Sequence, residues 1–208
     1  MSVQYPSRPW RLLAAAALAG ALVGCNILPE ARTYDLYRLP PSAVADAGEP
    51  PVDWALRITR PAHNDLLGTA SIAVLPEGHR LSVYEGARWT SPVPILWRDH
   101  LLEAFQNDGR VRQLSTDADM LRADLELGGV LRAFQTEYRD GAPHVVIRLD
   151  AQLVDLAGRR LHAGRRFEVI EPTRSAEVPA VVEAFGRAGD RLAAALIDWT
   201  LREGAAAH

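Results

Sequence analysis

Cys25 is the only cysteine in the 208-residue chain, and it closes the stretch Leu22-Val23-Gly24-Cys25. An uncharged apolar run from Leu12 to Val23 leads into it, preceded by Arg8 and Arg11. That run has the length of a signal-peptide core and falls short of the roughly 20 residues a spanning helix needs. A small-residue site ending in a lone cysteine resembles a bacterial lipobox. There the thiol sulfur takes a diacylglycerol, the peptide bond before the cysteine is cut, and the new α-amino group is acylated. A secretory signal with an incidental cysteine is the plainer alternative; position, flanking residues and uniqueness favour modification. Each buried methylene contributes about 0.8 kcal/mol, so one acyl chain binds reversibly and two or more hold firmly. The expected segments are a signal peptide over 1–24 and a lipidated tether over 25–33. The diacylglycerol and N-acyl chain on Cys25 are covalent, and no separate cofactor is expected. Asn26 follows the cysteine where an inner-membrane retention signal would place aspartate, so the expected location is the inner leaflet of the outer membrane, facing the periplasm.

Other reactive constellations are weak. The sequence has no Gly-x-Ser-x-Gly elbow and no phosphate loop. His63, His79, His100, His144 and His162 lack metal-ligand spacing, so no metal site is expected. His100 sits between Asp99 and Glu103 on a helical stretch, which suggests either an acid–base pair or a half-exposed helix residue. Asp150 and Asp155, and Glu126 and Glu137, show no better pairing. Arg159-Arg160 and Arg165-Arg166 bracket a turn, as a solvated rim or as contacts to anionic headgroups. No catalytic residue is expected, and the chain reads as a non-enzyme.

Charge narrows the partners. Residues 1–24 hold two arginines and no acid, leaving 21 basic against 26 acidic residues in the remainder. An acidic domain argues against nucleic acid, whose binding rests on clustered cations. All 23 basic residues are arginine, a pattern that coding bias explains more simply than anion recognition. With one cysteine the chain forms no internal disulfide, so the fold rests on its core. A chain of this size buries about 70% of its unfolded surface.

The elements follow from periodicity. Tyr34–Leu39 alternates as a first strand, and about eight tether residues before it reach at most about 26–29 Å. Pro40–Pro51 reads as a surface loop, and residues 54–58 as a strand. Residues 71–75 and 80–84 flank Pro76-Glu77-Gly78-His79 as a hairpin. A helix runs from Pro94 to Asp108-Gly109, with Trp97, Leu101, Ala104 and Phe105 on one face. Leu121–Tyr138 is strand-like, with a bulge expected at Gly128-Gly129. Val145, Ile147, Leu149, Ala151 and Leu153 alternate with polar residues in the clearest strand, and Leu161–Ile170 follows it. Glu177–Arg202 forms the longest helix on the stripe Val178, Val181, Val182, Phe185, Ala188, Leu192, Ala195, Leu196 and Trp199. The expected fold is α/β (α+β): one domain over 34–203, an antiparallel-rich sheet with two long helices packed on it, and a disordered tail over 204–208.

Several segments in order resemble the ABC-type transport auxiliary lipoproteins, the group that includes paraquat-inducible protein C. They are the lipobox, Tyr34–Leu39, Leu81-Ser82-Val83-Tyr84 leading into Ala87-Arg88-Trp89-Thr90-Ser91-Pro92, and Leu127-x-Gly129-x-Leu131-x-x-Phe134. The Leu149–Asp155 strand with Gly158-Arg159, and Arg166-Phe167 before the closing helix with Trp199, complete the series. Thr90 departs from the alanine expected there. The resemblance implies a non-catalytic accessory subunit of an envelope machine. Its partners would be an inner-membrane ABC permease and ATPase and a mammalian-cell-entry (MCE) domain protein, moving lipids or other hydrophobic molecules. It further implies a membrane contact through the lipid anchor, a homo-oligomer as one arrangement, and Tyr84, Arg88 and Trp89 as a partner-contact corner. A core plug is the plainer role for Trp89. A structural lipoprotein of lipopolysaccharide or peptidoglycan assembly is the alternative class.

Overall fold

A computed structural model describes residues 33–119 and 121–207. The signal segment, Cys25 and all of the tether except Thr33 lie outside the described residues. In chain order the elements are β1 (Asp35–Tyr37), β2 (Leu56–Ile58), β3 (Ser71–Glu77), β4 (Arg80–Trp89), α1 (Val93–Asp108), β5 (Leu114–Thr116), β6 (Leu125–Arg139), β7 (Ala142–Asp155), β8 (Arg160–Pro172) and α2 (Val178–Ala207).

Strand β6 is the spine of one eight-stranded sheet. Along one flank it pairs antiparallel with β7, which pairs antiparallel with β8. The other flank is shared by two wings. Residues 125–127 of β6 pair in parallel with β2, which continues to β5. Residues 135–137 pair in parallel with β3, which continues to β4 and then β1. Between the wings the chain stays on β6: the amides of Thr59 and Ala62 donate to the Leu127 and Gly129 carbonyls, both within 2.9 Å. Residues 56–75 therefore run as one interrupted strand, broken by the excursion through Asn64–Ala70. The sheet is mixed, not antiparallel-rich as expected. Four of its seven pairings are parallel, because β2, β3, β5 and β6 all run one way while β1 and β4 both run the other.

Local chemistry explains the long elements. The β6–β7 hairpin turns on Asp140-Gly141, with φ of 51° and 77°, the left-handed pair that a tight hairpin of right-twisted strands demands. Helix α1 starts after Pro92, with a second proline in its first turn, and stops at Gly109, whose φ of 79° caps it through a bond to the Phe105 carbonyl. The bulge in β6 falls at Arg132 instead of Gly128-Gly129. It flips the buried face from Leu125, Leu127 and Leu131 to Phe134 and Thr136, so both halves of the strand face the helices.

Both helices pack on that face. A cluster of aromatic rings joins four elements: Phe134 stacks on Phe185 at 4.6 Å, Trp89 meets Phe185 edge-on at 5.2 Å, and Trp97 meets Phe134 at 6.4 Å. Each such fully buried side chain contributes about 1.5–3 kcal/mol relative to exposure. The buried stripe of α2 includes Ala193 and Ile197, while Ala195 faces solvent. The helix also continues to Ala207, where the sequence reading placed a disordered tail from 204. Gly204 is buried against Trp54, and a Cβ there would lie 2.5 Å from the indole, so the absence of a side chain lets the last turns dock.

Candidate functional site

The three residues expected to form a partner-contact corner go to different places. Trp89 is 1% exposed and belongs to the aromatic core, so it offers a partner no surface. Arg88, opposite Leu36 in the sheet, is exposed and carries its guanidinium 3.8 Å from the Tyr34 ring centroid. Tyr84 is half-buried near Thr136, and burial pushes its phenol pKa up, with Tyr138 adding to the effect. Trp89 and Arg88 alternate across the strand as any neighbours do, and only burial separates their roles.

The titratable groups are similarly absorbed into structure. Asp150 bridges Arg132 at 2.7 Å and Arg166, which hold its carboxyl well below the usual range. Asp155 receives the Gly158 amide at 3.0 Å and orders the β7–β8 turn. Glu126 pairs with Arg57, and Glu137 with Arg139. Arg160 pairs with Asp155, and Arg165 lies 4.9 Å over the Phe167 ring. The described residues contain no group of three metal-ligating side chains. A cleft of about 640 Å³ opens among Ala55, Arg57, Gln113, Arg122, Asp124 and Leu156. Two guanidiniums and a carboxylate in that wall suit polar contacts, not an acyl chain.

His100 is neither half-exposed nor part of an acid–base pair with Asp99. It is 4% exposed, stacked on Trp97 at 6.1 Å, with Nε2 at 3.3 Å from Asp190 Oδ1 but poorly aligned for a hydrogen bond. Asp190 also accepts the Ser42 hydroxyl at 3.0 Å and the Ala43 amide at 3.1 Å, while Glu103 accepts the Ser42 amide. Gly186 and Gly189 of α2 leave room for Pro40 and the imidazole, since a Cβ at either would come within 2.8 Å of them. The cluster thus clamps the loop after β1 onto both helices. The sequence signal for it was the pair of small residues on the helix face opposite a histidine.

Burial lowers the His100 pKa below its ordinary value, and Asp190 and Glu103 offset this only in part. The clamp's contribution is fully present above the unfolded pKa of about 6.5 and declines as pH falls below it, because the unfolded chain takes the proton first. Urea unfolding at pH 7 and pH 5 should therefore show a smaller loss of stability for His100→Gln than for the parent. Equal losses would remove His100 from the pH response.

One backbone surface remains. β1 covers only residues 87–89 of β4, so Arg80–Gly86 presents an open strand edge among the described residues. Leu81 and Val83, 43% and 37% exposed, share the face away from the helices. The other long open edge, β8, is studded with Arg160, Arg165 and Arg166, which guard it against pairing. The stretch Leu81-Ser82-Val83-Tyr84 carries no charge.

Comparisons place this architecture. The family of ABC-type transport auxiliary lipoprotein components matches residues 34–196. A solved protein of Xanthomonas campestris is 28% identical with a TM-score of 0.76, over 82% of this chain and 96% of that one. A second solved, uncharacterised protein shares the fold at 17% identity, with a TM-score of 0.62 over 79% of this chain and 96% of that one. An uncharacterised protein of Bradyrhizobium diazoefficiens is 30% identical over 169 residues. Those residues are 81% of this chain and span 44% of that protein. The match over residues 34–196, most of the folded domain, makes this chain a member of the ABC-type transport auxiliary lipoprotein component family.

Proposed function

We propose that the chain is a non-catalytic docking subunit of an envelope transport system, held at the periplasmic face of the outer membrane by a diacylglycerol and an N-acyl chain on Cys25. The system pairs an inner-membrane ABC permease and ATPase with an MCE-domain protein and carries lipids or other hydrophobic compounds. The observation that carries the reading is the family match beginning at Tyr34, nine residues after a lone lipobox-like cysteine. Nine extended residues reach about 30 Å, so the folded domain stays beside the membrane that holds its anchor. The carboxylates of Glu126, Glu137, Asp150 and Asp155 pair with arginines or order a turn, which suits a scaffold better than a reaction centre.

Two measurements test it. Cys25→Ala should abolish incorporation of labelled palmitate and release the protein from the outer-membrane fraction; normal labelling or fractionation overturns the anchor. Native chain solubilised from membranes should co-purify with an MCE-domain protein. Recovery with cell-wall synthesis proteins alone would replace the transport reading with an envelope-assembly role.

A further inference from the structure

We propose that the cleft where β2, β5 and β6 begin and β7 ends binds a zwitterionic peptide of dipeptide size. Its carboxylate would lie against Arg57 and Arg122, and its ammonium group against Asp124. The walls are fixed before a ligand arrives. The Leu56 amide donates to the Gln113 carbonyl at 2.8 Å, the amides of Asp124 and Leu125 to the Ala55 carbonyl, and the Leu156 amide to the Asp124 carbonyl. Four strand ends are thus tied around one opening, as a preformed polar site requires.

The cations in the wall are short of acceptors. Arg98 and Arg110, more buried than Arg57, each meet two carboxylates within 3.0 Å. Arg57 meets one, Glu126, at 3.4 Å, and donates to the Leu121 carbonyl. Its Nε is buried with no acceptor. The hydroxyl of Ser115, its register partner on β5, is buried with no partner among the described residues. Arg122 is exposed in the same wall and forms no ion pair with a described residue. A carboxylate offers such guanidiniums the planar pair of acceptors that they lack.

The opposite charge has a place as well. Asp124 gives Oδ2 to the Ala55 amide at 2.8 Å, and its other oxygen accepts from no described residue. That oxygen suits an ammonium group and repels a ligand carrying negative charge alone. Arg122 and Asp124 are two residues apart, so their Cα atoms lie within about 7 Å, the span of an extended dipeptide. A short peptide carries both charges at that spacing.

The full chain, solubilised from membranes, should bind glycylglycine in calorimetry with a dissociation constant of about 1 mM, the range open to so small a ligand. Its N-acetyl and C-amide forms should each bind at least fivefold more weakly. Arg122→Gln should weaken glycylglycine at least fivefold and remove the discrimination against the amide, with the unfolding midpoint unchanged. Asp124→Asn keeps an oxygen for the Ala55 amide and should remove the discrimination against the acetyl form. No saturable heat at twenty times the expected constant overturns the site, as does indifference to both blocked forms. Tighter binding of inorganic phosphate than of glycylglycine would overturn the ammonium half and leave a plain anion pocket. None of these readings needs the anchor or a transport partner, so they stand or fall apart from the proposed function.

Discussion

Trp89→Ala should lower the stability of the folded domain by about 3–5 kcal/mol. Arg88→Ala beside it should change stability by about 0.5–1 kcal/mol, the worth of an exposed cation over a ring. The difference arises from packing. The Trp89 indole fills the space between β4, β6 and α2, against Phe134 at 6.1 Å and Phe185 at 5.2 Å. Truncation leaves a cavity that the surrounding rings close only by moving the strand away from the helix. Its Nε1 is buried without a hydrogen-bond partner, so the indole is held by shape and apolar area alone. Trp89→Phe should therefore recover much of the loss, since it restores area and gives up no hydrogen bond. Chemical denaturation with far-ultraviolet dichroism measures all three variants. A loss under 1 kcal/mol for Trp89→Ala, together with failure to bind the transport partner, would return the residue to the surface role that its sequence context suggested.

That contrast shows where reading the sequence reached its limit. The two helices, the β3–β4 hairpin and the alternation of β7 were legible because each is written in local periodicity and in the residues that end it. Leu56–Ile58 was legible as a strand from the alternation over 54–58, but Leu114–Thr116 is only three residues long, too short to show a period, and the parallel partners of both lie far away in sequence. Nothing local announces a parallel pairing; it follows from where crossovers return the chain. Arg132 as the bulge was hidden for a related reason, since the glycines before it looked like the natural breakpoint. The clamp around His100 depends on Pro40, Ser42, Glu103 and Asp190, which no spacing rule brings together. The uncharged run Leu81–Tyr84 was visible, but that no strand among the described residues covers its edge required knowing how far β1 extends.

Gly129→Ala should cost about 3–5 kcal/mol, combining left-handed backbone strain with overpacking. Gly129 has a φ of 129°, and a Cβ added there would lie 2.0 Å from the Asp150 carbonyl oxygen and 3.0 Å from Ala151 Cα. Both obstacles are backbone atoms of β7, paired to β6 along its whole length, and cannot rotate aside as a side chain would. Retreat on the other flank is closed too, because the Gly129 carbonyl accepts the Ala62 amide at 2.8 Å. The residue is thus fixed between two strands at the level where the sheet divides into its wings. Gly141→Ala is the control: its φ of 77° carries the same handedness, but nothing lies within 4 Å of the added carbon. It should lose only the conformational part, about 1–2 kcal/mol. The excess at Gly129 over Gly141 therefore measures close backbone approach separately from left-handedness. Equal losses in urea unfolding would mean that β6 and β7 do not hold the register that opposes Gly129 to Ala151. With an excess, the glycine in Leu127-x-Gly129-x-Leu131 is explained by a strand that must accept neighbours on both flanks at once.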